Sequence, residues 1–176
     1  MLTAISGGQT GIDRAALDAA IGAGLAYRGW CPKGGWAEDL PNPPGLCTLY
    51  PDLRETPDAA PEQRTEWNVR DADALMILVD ARGIACSNGT ALALAHAKSS
   101  GTPHIVIDLD LADAMQAALD FLSTDANISV CVAGPRESEA PGIYAKALTL
   151  LSGLLCGFSP RRNDGAHSGF QRDGKE

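Results

Sequence analysis

Residues 2–21, LTAISGGQTGIDRAALDAAI, contain the transition that decides the fold. A short apolar run, LTAI, is followed by a turn that holds Gly7, Gly8 and Gly11, and then by an alanine-rich segment with helical spacing. A strand that ends in a glycine-rich turn and passes directly into a helix is typical of α/β sheets that bind phosphate groups. The stretch therefore predicts a parallel sheet with an anion site at the start of its first helix.

The turn matches known phosphate loops only in part. The pattern G-x-G-x-x-G needs glycine where Ser6 stands, and a Walker loop needs Lys where Ile12 stands, so a standard ATPase is disfavoured. The physical features of an anion site remain, because glycines allow close backbone approach and the first helical turn has free N–H groups. The candidate ligand-binding residues here are Gly7, Gly8, Gln9, Thr10, Gly11 and Arg14. The alternative is a tight turn with a solvated Asp13–Arg14 pair.

A second turn of the same kind follows the strongest apolar run, ALMILVD. The segment SNGTALALAHA, residues 87–97, begins with small polar residues and continues with helical spacing. Two helix N-termini at the carboxyl edge of one sheet would converge on the crevice where open α/β sheets bind ligands. The further candidate ligand residues are therefore Ser87, Asn88, Gly89 and Thr90. The alternative is an ordinary Ser-Asn helix cap.

The rest of the chain alternates short apolar runs with longer segments of helical period. This alternation predicts an α/β fold, a mostly parallel sheet with helices on both faces, in a single domain over residues 1–156. Residues 157–176 are polar and aperiodic and are predicted to be a mobile tail. The predicted strands are Leu2–Ser6, Tyr27–Trp30, Leu75–Asp80, His104–Asp108 and Ile128–Ala133. The predicted helices are Ile12–Gly24, Pro61–Asp71, Gly89–Ser100, Leu111–Ser123 and Gly142–Cys156.

A proline-rich stretch, residues 31–63, interrupts the alternation and is predicted to be a long functional loop. Three residues in it or at its borders are further ligand candidates. Trp30 can stack on a planar ring, while Lys33 and Arg64 can pair with an oxygen of a phosphate or another anion. The alternatives are solvated surface charges for the two cations and ordinary burial for the tryptophans.

Composition narrows the class of partner. The chain of 176 residues carries a net charge of −8, which argues against nucleic acid or an anionic membrane as the main partner, since either needs a cationic face. The five cysteines are widely separated, without a CxxC pair, and the three histidines have no metal-ligand spacing, so no metal site is predicted. We expect a cytoplasmic protein with a small anionic ligand. The sequence does not decide whether the protein forms a homo-oligomer.

Several motifs in a fixed order resemble one family. The segments SGGQTGIDRAALDAAI, GWCPKG, QRTEWNVRDADALMIL, NGT and VAGPRESEAPGIY are similar to the YpsA-like family of putative molybdenum carrier proteins, over about Leu2–Leu155. This family lies in the Rossmann-like group that includes the lonely-guy phosphoribohydrolases and molybdenum-cofactor carriers. The resemblance implies a Rossmann-like sheet, whose strand order is either regular or permuted. It also implies a site for a nucleotide-like or pterin-phosphate ligand. The cofactors it suggests are the molybdenum cofactor or a nucleotide.

One position bears on whether the protein is an enzyme. The phosphoribohydrolase relatives use a glutamate in a motif that falls on GTALA here, and the matching residue is Ala93. Alanine cannot act as a general acid or base, so a ligand-binding carrier is favoured over catalysis. Two alternatives stay open, namely a hydrolase acting on a nucleotide or ADP-ribose derivative, and a nucleotide-sensing module.

Overall fold

The computed structural model describes residues 1–122 and 127–158. In these ranges the strands are β1 (Leu2–Ile5), β2 (Ala26–Cys31), β3 (Leu53–Glu55), β4 (Ala74–Val79), β5 (His104–Asp108) and β6 (Ile128–Ala133). The helices are α1 (Ile12–Gly22), α2 (Leu46–Leu49), α3 (Pro61–Arg70), α4 (Asn88–Ser100), α5 (Ala114–Leu122) and α6 (Ile143–Cys156). Most of the predicted tail, residues 159–176, lies outside the described residues.

The strands form one parallel sheet in the order β3-β2-β1-β6-β4-β5. β6 is the last strand along the chain, yet it lies between β1 and β4 in the middle of the sheet. The Rossmann-like fold class is therefore confirmed, with a permuted strand order. Because all strands are parallel, the turns that follow β1, β6 and β4 lie side by side at one edge.

Helices cover both faces of the sheet, as predicted. Alternate residues of the central strands point to opposite faces. On one face, Ala4, Met76 and Val130 pack in a core with α1, α5 and α6. On the other face, Ile5 and Ile77 pack in a smaller core with α3 and α4. The central strands β1, β4 and β6 are thus buried on both sides, and the site lies at the edge of the sheet where these strands end.

The boundaries of the predicted elements shift by up to three residues, and the proline-rich stretch differs from the prediction. α1 ends at Gly22 rather than Gly24, and α5 begins at Ala114 because residues 111–113 form a bend and a turn. Residues 31–63 are not a structureless loop, since they contain α2 and the edge strand β3. Leu46 and Leu53 from this stretch are buried in a third apolar cluster with Leu17 of α1. No helix in the described part of the chain is long and apolar enough to cross a membrane.

Candidate functional site

A small cavity lies where the turns after β1, β6 and β4 meet at the carboxyl edge of the sheet. Its volume is about 30 Å³. The turns contribute residues from both predicted glycine sites, and α3 closes one side. The lining residues are Gln9, Asp13, Arg64, Thr65, Ser87, Gly89, Thr90, Ala93, Ala133, Gly134, Arg136 and Glu139. The structure therefore brings five of the candidate ligand residues together around one cavity, namely Gln9, Arg64, Ser87, Gly89 and Thr90.

The N-terminus of α4 supplies the donors on one wall. Ser87 is the N-cap, and its Oγ accepts a hydrogen bond from the Thr90 N–H at 3.3 Å. The N–H groups of Asn88 and Gly89, in the first turn, have no carbonyl partner within the helix. The Thr90 hydroxyl is buried and has no hydrogen-bond partner, and the whole residue is only 1% exposed. An unpartnered buried hydroxyl on a cavity wall is available to a ligand or a water molecule.

Arg64 reaches the cavity from α3 and is held by Asp13 of α1. Its Nη1 donates to Asp13 Oδ2 at 2.8 Å, while its buried Nε has no partner. Burial raises the pKa of Asp13 above its usual value, and the Arg64 guanidinium opposes that shift. Gly7 leaves the space for this pair, because a Cβ at Gly7 would lie 2.1 Å from Arg64 Nη1. Gly7 thus shapes the site by having no side chain.

The turn after β6 adds a second guanidinium and a carboxylate. The Arg136 N–H donates to Glu139 Oε2 at 3.0 Å, and Arg136 Nε lies 3.6 Å from Glu139 Oε1. Both residues line the cavity. Each guanidinium of the cavity is therefore accompanied by a carboxylate.

Gly8 and Gly11, the other two glycines in the turn after β1, determine the shape of that turn. Gly8 has a φ of 71°, and a Cβ there would point toward Leu53, Leu46 and Leu17 rather than toward the cavity. Gly11 has a φ of 74°, and a Cβ there would lie 2.4 Å from the carbonyl oxygen of Pro135. The close packing at Gly11 is therefore made against the turn that follows β6, not against a strand.

Thr10 and Arg14 face a different, larger cavity of about 680 Å³. The Thr10 hydroxyl donates to Glu38 and accepts from the Glu137 N–H at 3.2 Å. Arg14 donates to the Gly8 carbonyl at 3.0 Å and binds both carboxylate oxygens of Asp39, at 2.9 and 3.0 Å. The alternative of a solvated Asp13–Arg14 pair is wrong, because each of these residues pairs elsewhere.

Glu38 ties the turns around this larger cavity together. Its backbone N–H donates to Gln9 Oε1 at 3.0 Å, and its carboxylate accepts from the hydroxyls of Thr10 and Ser138. Partial burial by itself would raise the pKa of Glu38, but the hydrogen bonds from Ser138 and Thr10 outweigh it and lower the pKa. The carboxylate therefore stabilises the contact between the turns after β1 and β6.

The structure does not bring Trp30 or Lys33 to the small cavity. Trp30 packs edge-to-face on Trp67, with ring centroids 4.7 Å apart, and its Nε1 donates to Asp71 at 2.7 Å. It lines a third cavity, of about 260 Å³, beside Arg28. Lys33 is exposed and lines none of these three cavities. Asn88 is exposed at the first turn of α4.

Sequence reasoning did not identify Asp13, Thr65 and Glu139 as cavity residues. Glu139 lies in the segment GPRESEA after β6, and its closeness to the first turn depends on β6 lying beside β1. The family resemblance allowed a permuted strand order. That strand order is the signal that could have indicated Glu139 as a cavity residue. Among the described residues, no group of three His, Cys, Asp or Glu side chains is arranged to hold a metal ion.

Comparison with known proteins agrees with this architecture. No curated protein matches the chain. A solved structure, described as a putative molybdenum carrier protein from Syntrophus aciditrophicus, is 36% identical, with a TM-score of 0.76. The match covers 87% of this chain and 94% of the other. Residues 4–155 match the family described as circularly permutated YpsA SLOG. With β6 between β1 and β4, and with a match over most of its length, the chain belongs to the circularly permutated YpsA SLOG family.

Proposed function

We propose that the protein is a carrier that binds the oxyanion of a small ligand in the cavity beside Thr90. The ligand is nucleotide-like or a pterin phosphate, and the protein acts as a molybdenum carrier. The similar protein from Syntrophus is described as a putative molybdenum carrier protein. The observation that carries the proposal is the pair of buried, unpartnered donors on the cavity wall, Thr90 Oγ1 and Arg64 Nε.

An oxyanion satisfies both donors at once. Buried polar groups without partners are uncommon in folded proteins, and each is destabilising by about 1–3 kcal/mol until something pairs with it. The N-terminus of α4 adds first-turn N–H groups and the positive end of the helix dipole. Together these groups offer hydrogen bonds from several directions to the oxygens of an anion.

The size of the cavity limits what can enter it. A volume of about 30 Å³ is two to three times the roughly 10–15 Å³ that one water-sized group needs, so the cavity takes the oxygens of an oxyanion and not a base or pterin ring. The remainder of a larger ligand would lie outside the cavity. Since Trp30 is packed on Trp67, stacking on Trp30 is not part of this proposal.

The cavity favours binding over hydrolysis. Ala93, at the position of the glutamate in the phosphoribohydrolases, lines the cavity and is 1% exposed, so it places only a methyl group there. The carboxylates of Asp13 and Glu139 are each accompanied by a guanidinium. Neither of these two carboxylates therefore stands alone on the wall as a candidate general acid or base.

Titration calorimetry tests the proposal with inorganic phosphate, AMP and molybdate as probes. We expect at least one of these anions to bind the wild type, and Thr90→Val to weaken its binding by about tenfold or more, because a charge-assisted hydrogen bond is lost. Thr149→Val is the matched control, since Thr149 is exposed on α6. Equal affinities of wild type and Thr90→Val would show that this cavity is not the site.

A further inference from the structure

We propose that Glu139 makes the cavity select a tetrahedral oxyanion that carries a proton, such as hydrogen phosphate, over sulfate and molybdate, which carry none at neutral pH. The inference rests on the proposed function, because it concerns the same cavity. It adds the class of oxyanion that the cavity accepts.

The position of Glu139 is the first step. Its side chain lines the cavity together with Thr90 and Arg64, and it is 22% exposed. The backbone N–H of Arg136 donates to Oε2 at 3.0 Å, and the Arg136 guanidinium lies 3.6 Å from Oε1. These contacts hold the carboxylate at the wall. A carboxylate has about four lone-pair sites, so it can still accept a hydrogen bond from a ligand.

The chemistry of the two kinds of anion is the second step. An ionised carboxylate only accepts hydrogen bonds, and so do the oxygens of sulfate and molybdate. Two acceptors in contact repel each other, and the repulsion grows where water is largely excluded. Hydrogen phosphate instead has an O–H group that can donate to Glu139 while its other oxygens accept from Thr90 and Arg64.

Because the charges of the cavity wall are balanced, the hydrogen bond between the ligand and Glu139 decides which oxyanion binds. The Arg64 guanidinium is paired with Asp13 at 2.8 Å, and the Arg136 guanidinium lies beside Glu139. The cavity therefore has little excess positive charge with which to attract every anion equally. Hydrogen-bond matching then decides which oxyanion binds. A carrier with this cavity would bind the phosphoryl end of its cargo in the singly protonated form, which a phosphomonoester holds mainly below its second pKa of about 6, rather than bare molybdate.

The test compares phosphate, sulfate and molybdate by titration calorimetry at pH 7 and constant ionic strength. We expect the wild type to bind phosphate at least about tenfold tighter than the other two, as a charge-assisted hydrogen bond replaces a repulsion. Glu139→Gln removes the charge with little change in shape and supplies an N–H donor, so sulfate and molybdate should gain affinity and the preference should fall to about threefold or less. Glu66→Gln is the control, because it makes the same charge change at an exposed position of α3.

The outcomes distinguish a failure of the proposed selectivity from a failure of the proposed function. A wild type that binds sulfate or molybdate as tightly as phosphate overturns the selectivity and leaves the binding site intact, and this result does not depend on the folding of any variant. An unchanged preference in a folded Glu139→Gln variant also overturns it. If the wild type binds none of the three anions, nor AMP, the proposed function itself fails and the selectivity falls with it.

Discussion

Replacing Thr90 by Val should make the ligand-free protein more stable while it weakens binding. The Thr90 hydroxyl is buried without a partner, so the folded protein bears the desolvation penalty of that group. Valine has nearly the same shape and no hydroxyl, and both residues are β-branched with similar helix propensities. Ser87 still caps the helix in the variant, since its Oγ accepts from the backbone N–H of residue 90.

The size of the effect follows from the penalty for an unsatisfied polar group, about 1–3 kcal/mol. We expect the unfolding free energy of the ligand-free variant to rise by about 1 kcal/mol or more. For a chain of this length, that corresponds to a Tm higher by roughly 2–4 °C. Oxyanion affinity should fall at the same time, by about tenfold or more.

The assay is thermal and urea unfolding of both proteins after denaturation and refolding, which removes any copurified ligand. Phosphate is then added to each protein. The wild type should gain stability with phosphate, and the variant should gain much less, because only binding to the folded state raises the Tm. A lower Tm in ligand-free Thr90→Val, with m values unchanged, would refute the reasoning and show that the hydroxyl is already satisfied.

Three other substitutions test the surroundings of the site. Gly7→Ala places a Cβ against the end of the Arg64 side chain, so the guanidinium must move away from the buried Asp13 carboxylate. The weakened ion pair should lower the unfolding free energy by about 1–3 kcal/mol and reduce anion binding. Gly22→Ala, with open space around it, should do neither, and equal denaturation curves for the two variants would contradict this. Glu38 has a lowered pKa, so its contribution to stability is present above its usual value of 4.5 and is lost as the pH falls through the lowered pKa. Glu38→Gln should remove that part of the acid dependence in melts from neutral to acidic pH, and an unchanged profile would count against it. Trp30→Ala should destabilise the protein by about 1–3 kcal/mol, through lost packing on Trp67, and leave phosphate affinity unchanged by calorimetry; a large loss of affinity would return Trp30 to the site.

Local pattern was enough to predict most of the fold. Five of the six strands and the five longer helices follow from apolar spacing and from Gly, Ser and Pro at their ends, because these signals act between residues two to four positions apart. The same local signals identified the N-termini of α1 and α4, and with them Ser87, Gly89 and Thr90. The edge strand β3 was missed because it has three residues in a proline-rich stretch and pairs only with β2.

Tertiary structure decided which of the predicted residues meet. Asp13 of α1 and Arg64 of α3 are 51 positions apart, and their pairing depends on how α3 lies relative to the start of α1. Thr10, next to Gln9 in the turn after β1, and Arg14, in the first turn of α1, line another cavity than Gln9 does. Glu139 reaches the site only because β6, the last strand, pairs with β1 and β4 in the middle of the sheet. Such contacts depend on strand order and helix packing, which no short-range sequence pattern contains.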